Sequence, residues 1–347
     1  MQVEKVLLAR PRGFCAGVEM AIKALAWMVR VFEPPVYCYH EIVHNQLVVE
    51  EFARLGVVFV EDVNEVPEGG VVMLSAHGTA PQVEHAARSG RMVVNAACPL
   101  VTKVHHELKV RAKRGYTVIY VGHEGHQESI GTMAVAPQAV RLVETEADVD
   151  ELDDPGTPVA LLAQTTLSHD DWSGVMEHAK ARFPDIWMPG RADLCYATTN
   201  RQSAVRVIAP RVDAFVVIGS SNSSNTVSLT KVAKRAGCKH VLRVDRADQL
   251  PDDLSGTVGV TAGASAPEWV VEEVIAKLAP SGGVEPVDVL LEDEYFPPPR
   301  ELRDVLKSAA VAAALLVGGD PTAEPPLGSD RSIPASAVLG APMPAAS

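Results

Sequence analysis

Arg12-Gly13-Phe14-Cys15-Ala16-Gly17 is the stretch around which this sequence is organised. A short apolar run from Val6 to Ala9 precedes it, and a segment with helical spacing of apolar residues follows from Val18 to Val31. Its glycines allow a tight change of direction and a close approach of the backbone to a bulky group. The stretch is therefore predicted to be a strand-to-helix turn that carries a cysteine.

An apolar run that leads to a cysteine occurs twice more in the chain. Met92 to Asn95 leads to Cys98-Pro99, and Ile186 to Met188 leads through Asp193-Leu194 to Cys195. After each cysteine the sequence predicts a helix, a strand with a polar segment behind it, and two further strands. The chain is thus predicted to contain three copies of one structural unit.

The predicted strands are continuous Val, Ile and Leu runs that alternate with helices, which is typical of parallel sheets covered on both faces. We therefore predict an α/β fold of three small, pseudo-threefold-related α/β domains with mainly parallel sheets around a central cluster cavity. The polar segments follow strands, where parallel sheets bind ligands. The predicted boundaries are 1–98 (including the N-terminal strand), 99–193, 194–281, 282–317 for a C-terminal arm and helix, and 318–347 for a disordered tail.

The composition of the chain limits its possible partners, its location and the use of its cysteines. The formal net charge of −13 argues against nucleic acid and anionic membranes as partners, because both require a basic face. No apolar run reaches the roughly 20 residues that cross a bilayer, and the N-terminus lacks the features of a signal peptide. A cytoplasmic protein is therefore expected. Five cysteines, an odd number, favour metal binding or catalysis over a disulfide framework.

Two interpretations of the cysteines are open when each is taken alone. A single cysteine is commonly a small buried hydrophobic residue. Cys15, Cys98 and Cys195, however, recur at the same predicted turn, whereas Cys38 and Cys238 lie outside the pattern. Soft thiolates select iron–sulfur clusters or zinc, and three ligands leave one metal position open, as in a catalytic centre. The repeat therefore favours a shared metal site.

Several histidines and acids lie in the polar segments. His44, His77 and His126 follow strands and are expected to donate hydrogen bonds to an anion. Glu128 is either a carboxylate in a first helical turn or a proton donor in a dry pocket, where burial favours the neutral form. Thr165 is either part of a proton relay or a helix cap.

Ser223-Ser224-Asn225 follows a strand and precedes a helix. Such a run is often only a turn or a cap, but its hydroxyls, amide and backbone N–H groups also suit an anion. It stands where the other units place His44 and His126. Ser265, in the position that corresponds to His77 and Thr165, completes the predicted set.

Together, these segments closely resemble the LytB family of reductases, over roughly residues 4 to 291. The matching segments are Gly13-Phe14-Cys15-Ala16-Gly17-Val18, His77-Gly78, Cys98-Pro99, Gly122-His123-Glu124-Gly125-His126, Gln164-Thr165-Thr166-Leu167-Ser168, Asp193-Leu194-Cys195-Tyr196-Ala197-Thr198-Thr199-Asn200-Arg201-Gln202, Ser223-Ser224-Asn225 and Thr261-Ala262-Gly263-Ala264-Ser265.

The resemblance implies the last step of the non-mevalonate isoprenoid pathway: reductive dehydroxylation of (E)-4-hydroxy-3-methylbut-2-enyl diphosphate to isopentenyl and dimethylallyl diphosphate. It implies that Cys15, Cys98 and Cys195 hold a [4Fe-4S] cluster with one iron open to substrate. It also implies a substrate pocket and a proton path in which Glu128, His126 and Thr165 act. The implied substrate-binding residues are His44, His77, His126, Thr165, Ser223, Ser224, Asn225 and Ser265.

The sequence contains no nicotinamide or flavin fingerprint, so electrons are expected from a separate carrier such as ferredoxin or flavodoxin. The oligomeric state is left open. Two other functions use the same residues: a non-redox protein that binds a phosphate ligand, and a zinc–thiolate hydrolase.

Overall fold

Three small parallel β-sheets, with helices between their strands, form the core of the fold. The computed structural model describes residues 1–190, 193–316 and 330–340. Within these residues the strands are β1 Gln2–Arg10, β2 Val36–Tyr39, β3 Val57–Val60, β4 Val71–Leu74, β5 Met92–Asn95, β6 Thr117–Val121, β7 Val140–Val143, β8 Val159–Ala163, β9 Ala214–Ile218, β10 His240–Val244, β11 Ser255–Ala262 and β12 Val284–Asp288.

Helices follow most of these strands. They are α1 Ala16–Val31, α2 Gln46–Arg54, α3 Pro81–Ala87, α4 Pro99–Lys113, α5 Gln127–Met133, α6 Glu146–Glu151, α7 His169–Arg182, α8 Tyr196–Ile208, α9 Ser224–Arg235, α10 Glu268–Leu278, α11 Arg300–Leu316 and α12 Ala335–Leu339. In the described part of the chain, none of them is long and apolar enough to cross a membrane.

The predicted mainly parallel sheets are confirmed, because every strand pair in the three sheets runs parallel. β8, at the end of its three-stranded sheet, and β9, between β10 and β11, are buried along their whole length. Their Val, Leu, Ile, Ala and Phe side chains therefore fill both faces of the sheets, as expected for parallel strands covered by helices.

Strand order reveals the repeat. The three sheets have the orders β3-β2-β4-β5, β7-β6-β8 and β10-β9-β11-β1-β12. In the first sheet, β5 leads to Cys98 and pairs with β4. In the third sheet, β1 leads to Cys15 and pairs with β11. In the second sheet the corresponding strand is reduced to one parallel bridge between Ala160 and Trp187. The predicted threefold internal repeat is therefore present in the topology.

The N-terminal strand does not belong to the first sheet, so the predicted boundary of the first unit is wrong for these residues. β1 lies between β11 and β12, with Leu7 opposite Gly259 on one side and Glu285 on the other. Its residues Val6 to Ala9 are buried, which suits a central strand of a sheet covered on both faces. The repeat is thus circularly permuted, because the chain begins with β1, the strand of the third sheet that corresponds to β5 of the first sheet.

β12 also belongs to this third sheet, although the sequence assigned residues 282–317 to an arm. It is an edge strand in which half-buried and exposed residues alternate, and it contains Pro286. Proline is tolerated at an edge because no further strand needs its missing N–H. The predicted helix from Arg300 is present as α11, and its expected end at Val317 lies outside the described residues.

The three sheets are distributed over two compact units. The larger unit consists of Met1–Cys15 and Leu100–Asp293 and contains the second and third sheets. The smaller unit consists of Ala16–Pro99 and the described part of Glu294–Ser347, and it contains the first sheet.

The described part of the tail, residues 330–340, is folded, so the predicted disorder of 318–347 is wrong for this segment. It packs on α1 within the smaller unit, where Ala335 and Leu339 are buried. The ammonium of Lys23, a residue only 3% exposed, donates to the carbonyl of Asp330 at 2.8 Å. Apolar burial and a buried lysine hold the segment in place. The remaining tail residues, 318–329 and 341–347, lie outside the described residues.

Candidate active site

The three cysteines of the repeat occupy the same backbone position in their sheets. In each sheet the cysteine N–H donates to a carbonyl in the loop after the neighbouring strand. These bonds are Cys15 to Ala264 at 3.1 Å, Cys98 to Ala76 at 3.0 Å, and Cys195 to Thr165 at 2.9 Å. The predicted equivalence of the three cysteines is therefore confirmed at the level of hydrogen bonding.

This register also corrects one detail of the predicted repeat. The residues that follow the three acceptors are Ser265, His77 and Thr166. Thr166, rather than Thr165, is thus the counterpart of His77 and Ser265. Thr165 instead corresponds to the acceptor residues themselves.

Each of the three cysteines directly precedes a helix, since α1, α4 and α8 begin at the next residue. Negative charge is stabilised at a helix N-terminus, which favours a thiolate there. All three cysteines are partly exposed, whereas Cys38 and Cys238 are buried. Burial raises the pKa of both buried thiols, which favours their neutral form.

Gly13 shapes the first cysteine turn. It has φ +65°, a conformation that favours glycine, and an added Cβ would lie 3.3 Å from the carbonyl oxygen of Ala266. Its N–H donates to Ala262 at 3.1 Å. The turn before Cys15 is thus fixed against the end of β11.

Glu128 is buried at the start of α5 in the larger unit, 2% exposed. Its two carboxyl oxygens accept hydrogen bonds from the Thr165 backbone N–H at 2.7 Å and the Thr165 hydroxyl at 2.9 Å. Burial raises the pKa of Glu128 to about 7, although these two bonds act in the opposite direction. The carboxyl group can therefore hold or release a proton near neutral pH.

His126 caps the same helix. Its Nδ1 accepts a hydrogen bond from the N–H of Glu128 at 3.1 Å. The proton of the neutral imidazole consequently lies on Nε2, which makes this atom a donor.

The Ser223 loop begins α9. The Ser223 hydroxyl accepts from Thr226 N–H at 3.3 Å, so the interpretation of this residue as a helix cap is confirmed. Asn225 is buried; its Oδ1 accepts from Ala264 N–H at 2.9 Å and its Nδ2 donates to Thr198 at 3.4 Å. These bonds place Asn225 beside the loop that contains Ser265 and fix its amide orientation.

A cavity of about 210 Å³ in the larger unit is lined by two of the predicted residues, His126 and Ser224. Thr166, Asp171 and Lys231 line it as well. The structure therefore brings the second and third repeats together at one polar cavity.

In the smaller unit the two predicted histidines lie together. The rings of His44 and His77 stack with centroids 4.0 Å apart and an angle of 19°. His44 lies directly before Asn45, whose side chain caps α2 by accepting from Leu47 and Val48. Helix capping thus fixes the backbone that carries His44.

The family model described as LytB protein matches residues 6–279. The chain belongs to the LytB family. Among similar proteins is a 4-hydroxy-3-methylbut-2-enyl diphosphate reductase of Rhodopirellula baltica, 50% identical over 317 residues that make up 89% of this chain and 98% of the relative. A reductase of the same name from Streptomyces avermitilis is 45% identical over 92% of this chain and 97% of its own length.

Two solved reductase structures are also similar to this LytB chain. The structure of the E-1-hydroxy-2-methyl-but-2-enyl-4-diphosphate reductase from Plasmodium falciparum matches with a TM-score of 0.85 and 33% identity, over 89% of this chain and 99% of that one. A structure of (E)-4-hydroxy-3-methyl-but-2-enyl diphosphate reductase, described as the terminal enzyme of the non-mevalonate pathway, matches with a TM-score of 0.60 and 31% identity, over 80% of this chain and 99% of that one.

LytB proteins are iron–sulfur enzymes, and the cysteines of this chain fit such a group. They are three soft donors, partly exposed, each held by an equivalent hydrogen bond ahead of a helix. Within residues 1–190, 193–316 and 330–340, no three His, Cys, Asp or Glu side chains lie close enough to hold a single metal ion. Cys15 and Cys195 lie in the larger unit and Cys98 in the smaller one, so their joint ligation stays a prediction.

Sequence reasoning missed Lys231. The α9 residues that line the cavity are Ser224, Val227, Ser228 and Lys231, a spacing of three, four and seven residues on one helical face. This periodicity was available in the sequence once Ser224 was singled out. The polar cavity of this LytB chain is therefore lined by the cationic side chain of Lys231 as well as by the neutral donors that the sequence predicted.

Proposed function

We propose that this protein is a 4-hydroxy-3-methylbut-2-enyl diphosphate reductase, which removes the allylic hydroxyl of its substrate as water and yields isopentenyl and dimethylallyl diphosphate. The reaction consumes two electrons and two protons. The observation that carries this proposal is the 50% identity to a reductase of that name over 98% of the relative's length. The similarity in fold to two solved reductase structures supports it.

Cys15, Cys98 and Cys195 would hold a [4Fe-4S] cluster. When bound, the cluster supplies electrons and a Lewis acid for the leaving hydroxyl group. The equivalent hydrogen bonds of the three cysteines and their positions ahead of helices support this assignment.

The diphosphate is bound by side chains and N–H groups that carry little net charge. Neutral donors cost less to bury than lysines, which suits a pocket that excludes water. His126 donates from Nε2, because Nδ1 is already an acceptor. The proposed binding residues are His44, His77, His126, Thr165, Ser223, Ser224, Asn225 and Ser265.

Glu128 delivers protons to the reaction. Its pKa of about 7 keeps a large protonated fraction at neutral pH. After the transfer, the N–H and hydroxyl groups of Thr165 stabilise the carboxylate by the two bonds already present. Electrons come from a separate carrier such as ferredoxin or flavodoxin, and the cytoplasmic location expected from the sequence stays a prediction.

Anaerobic turnover of the diphosphate substrate with a one-electron reductant tests the proposal, combined with iron and sulfide analysis. We expect a brown protein that forms both products, and a Cys98→Ser variant that loses iron and turnover. A colourless, iron-free protein that still binds the diphosphate would favour the non-redox binding protein. Stoichiometric zinc with activity that needs no reductant would favour the hydrolase.

A further inference from the structure

Helix α8, which begins directly after Cys195, has a polar face that is completely buried. Thr198, Arg201 and Gln202 are 2%, 0% and 0% exposed. Their spacing of three and four residues places them on one side of the helix. Buried polar groups are retained where they make specific hydrogen bonds, so the partners of this face indicate its role.

The guanidinium of Arg201 binds the backbone next to two cysteines. Its Nε and Nη2 donate to the carbonyl of Gly13 at 3.1 and 2.8 Å, and Nη2 also reaches Phe14 at 3.4 Å. Its Nη1 donates to Ala197 at 3.0 Å. Gly13 and Phe14 directly precede Cys15, and Ala197 lies two residues after Cys195.

Glu292 balances the buried charge. Its carboxylate accepts from Nη1 of Arg201 at 2.9 and 3.2 Å and from Asn200 at 3.1 Å. A buried arginine is costly unless it is paired and its donors are used. Here one guanidinium donates to a carboxylate, to the carbonyl of Gly13 in the turn before Cys15 and to the carbonyl of Ala197 in the first turn of α8.

We propose that Arg201 is a positioning residue that fixes the Cys15 turn relative to the start of α8 and so sets the mutual placement of two cysteines. Only the identity of the group that these cysteines bind rests on the proposed function. All the residues concerned lie in the larger unit.

Arginine is required because of its shape. Its planar fork donates in several directions at once, whereas a lysine ammonium is a single point that cannot span Gly13, Ala197 and Glu292 together. An Arg201→Lys variant therefore keeps the charge opposite Glu292 but loses part of the backbone connection.

Hydrogen exchange on the full-length protein, purified anaerobically, tests the role of Arg201. In Arg201→Gln we expect the amides of residues 13–15 to exchange at least tenfold faster than in the wild type, with Arg201→Lys between the two. Transfer of iron to a chelator should accelerate at least tenfold as well, and the electron paramagnetic resonance spectrum of the reduced protein should change.

Arg111→Gln is the matched control. Arg111 is another largely buried arginine of the larger unit; its guanidinium lies 3.6 Å from the ring centroid of Trp187 and it pairs with Glu107. We expect this variant to lose thermal stability without faster exchange at residues 13–15.

A folded Arg201→Gln variant with wild-type exchange at residues 13–15 would overturn the proposal. If that variant does not fold, the same result in Arg201→Lys would overturn it. Exchange is measurable whether or not the protein binds iron, so failure of the proposed function and failure of this inference are distinguishable.

Discussion

Replacing Thr165 by Val is expected to shift the activity of this protein toward higher pH. Thr165 donates two hydrogen bonds to Glu128, one from its backbone N–H and one from its hydroxyl. Valine has nearly the same shape, so the substitution removes the hydroxyl bond and keeps the backbone bond. The only large change at the carboxyl group is therefore the loss of one donor to its charged form.

The size of the shift follows from this single bond. Hydrogen bonds to charged groups contribute about 1.5–3 kcal/mol, and one pKa unit corresponds to about 1.4 kcal/mol. The carboxylate loses this stabilisation, so the pKa of Glu128 is expected to rise by roughly 1–2 units above its value of about 7. The acid then remains protonated to higher pH, and activity that depends on its proton persists further into the alkaline range.

The pH profile of kcat under anaerobic conditions measures this effect. We expect the alkaline limb of the wild type near pH 7 and that of Thr165→Val at higher pH. Thr166→Val is the matched control, because the Thr166 hydroxyl accepts from Gln164 at 2.7 Å rather than contacting Glu128. A Thr165→Val limb that stays in place or moves to lower pH would refute the assignment of Glu128 as the proton donor held by Thr165.

Three further outcomes are expected. The folded-state pKa of Glu128 lies above its ordinary value of 4.5, so the contribution of Glu128 to the free energy of unfolding is expected to fall by about 3 kcal/mol as the pH rises from 4.5 to 7. Glu128→Gln should abolish this decrease, measured by denaturant titrations at pH 5 and 8, and it should also abolish nearly all turnover. Serine at Cys38 or Cys238 should leave the iron content unchanged, and iron loss in either variant would contradict the ligand assignment. Leu339→Ala should lower the free energy of unfolding of the smaller unit by about 2 kcal/mol, whereas Leu316→Ala, at a residue 87% exposed, should change it by less than about 0.5 kcal/mol.

The sheets were predictable from the sequence because buried parallel strands consist of continuous runs of apolar residues. Val36–Tyr39, Thr117–Val121 and Ala214–Ile218, the strands in the structure that follow the first helix after each cysteine, are short runs of this kind. Strand pairing, in contrast, depends on contacts far apart in the chain, which periodicity does not report. The sequence therefore predicted that Val6 to Ala9 form a strand and assigned it to the wrong sheet.

The equivalent backbone positions of the three cysteines were predictable, because residue type and the internal repeat coincide there. The environment of a polar residue was not predictable where burial determines it. Arg201 and Gln202 are polar residues in an amphipathic helix, and only the structure shows that both are completely buried. Similarly, residues 330–340 have the composition of a disordered tail, but burial of Ala335 and Leu339 against α1 outweighs that composition.

The permuted repeat has a consequence for how the cysteine turns are stabilised. Cys98 and Cys195 each donate to a carbonyl that precedes them in the chain by about thirty residues or fewer, at Ala76 and Thr165, whereas Cys15 donates to Ala264. Arg201, which donates to Gly13 of the first turn, and Glu292, which pairs with Arg201, also lie far along the chain. Such nonlocal contacts contribute stability only after a long loop has closed. The first cysteine to be synthesised is therefore held by the last sheet to be completed, and its turn cannot make these bonds before the third sheet exists.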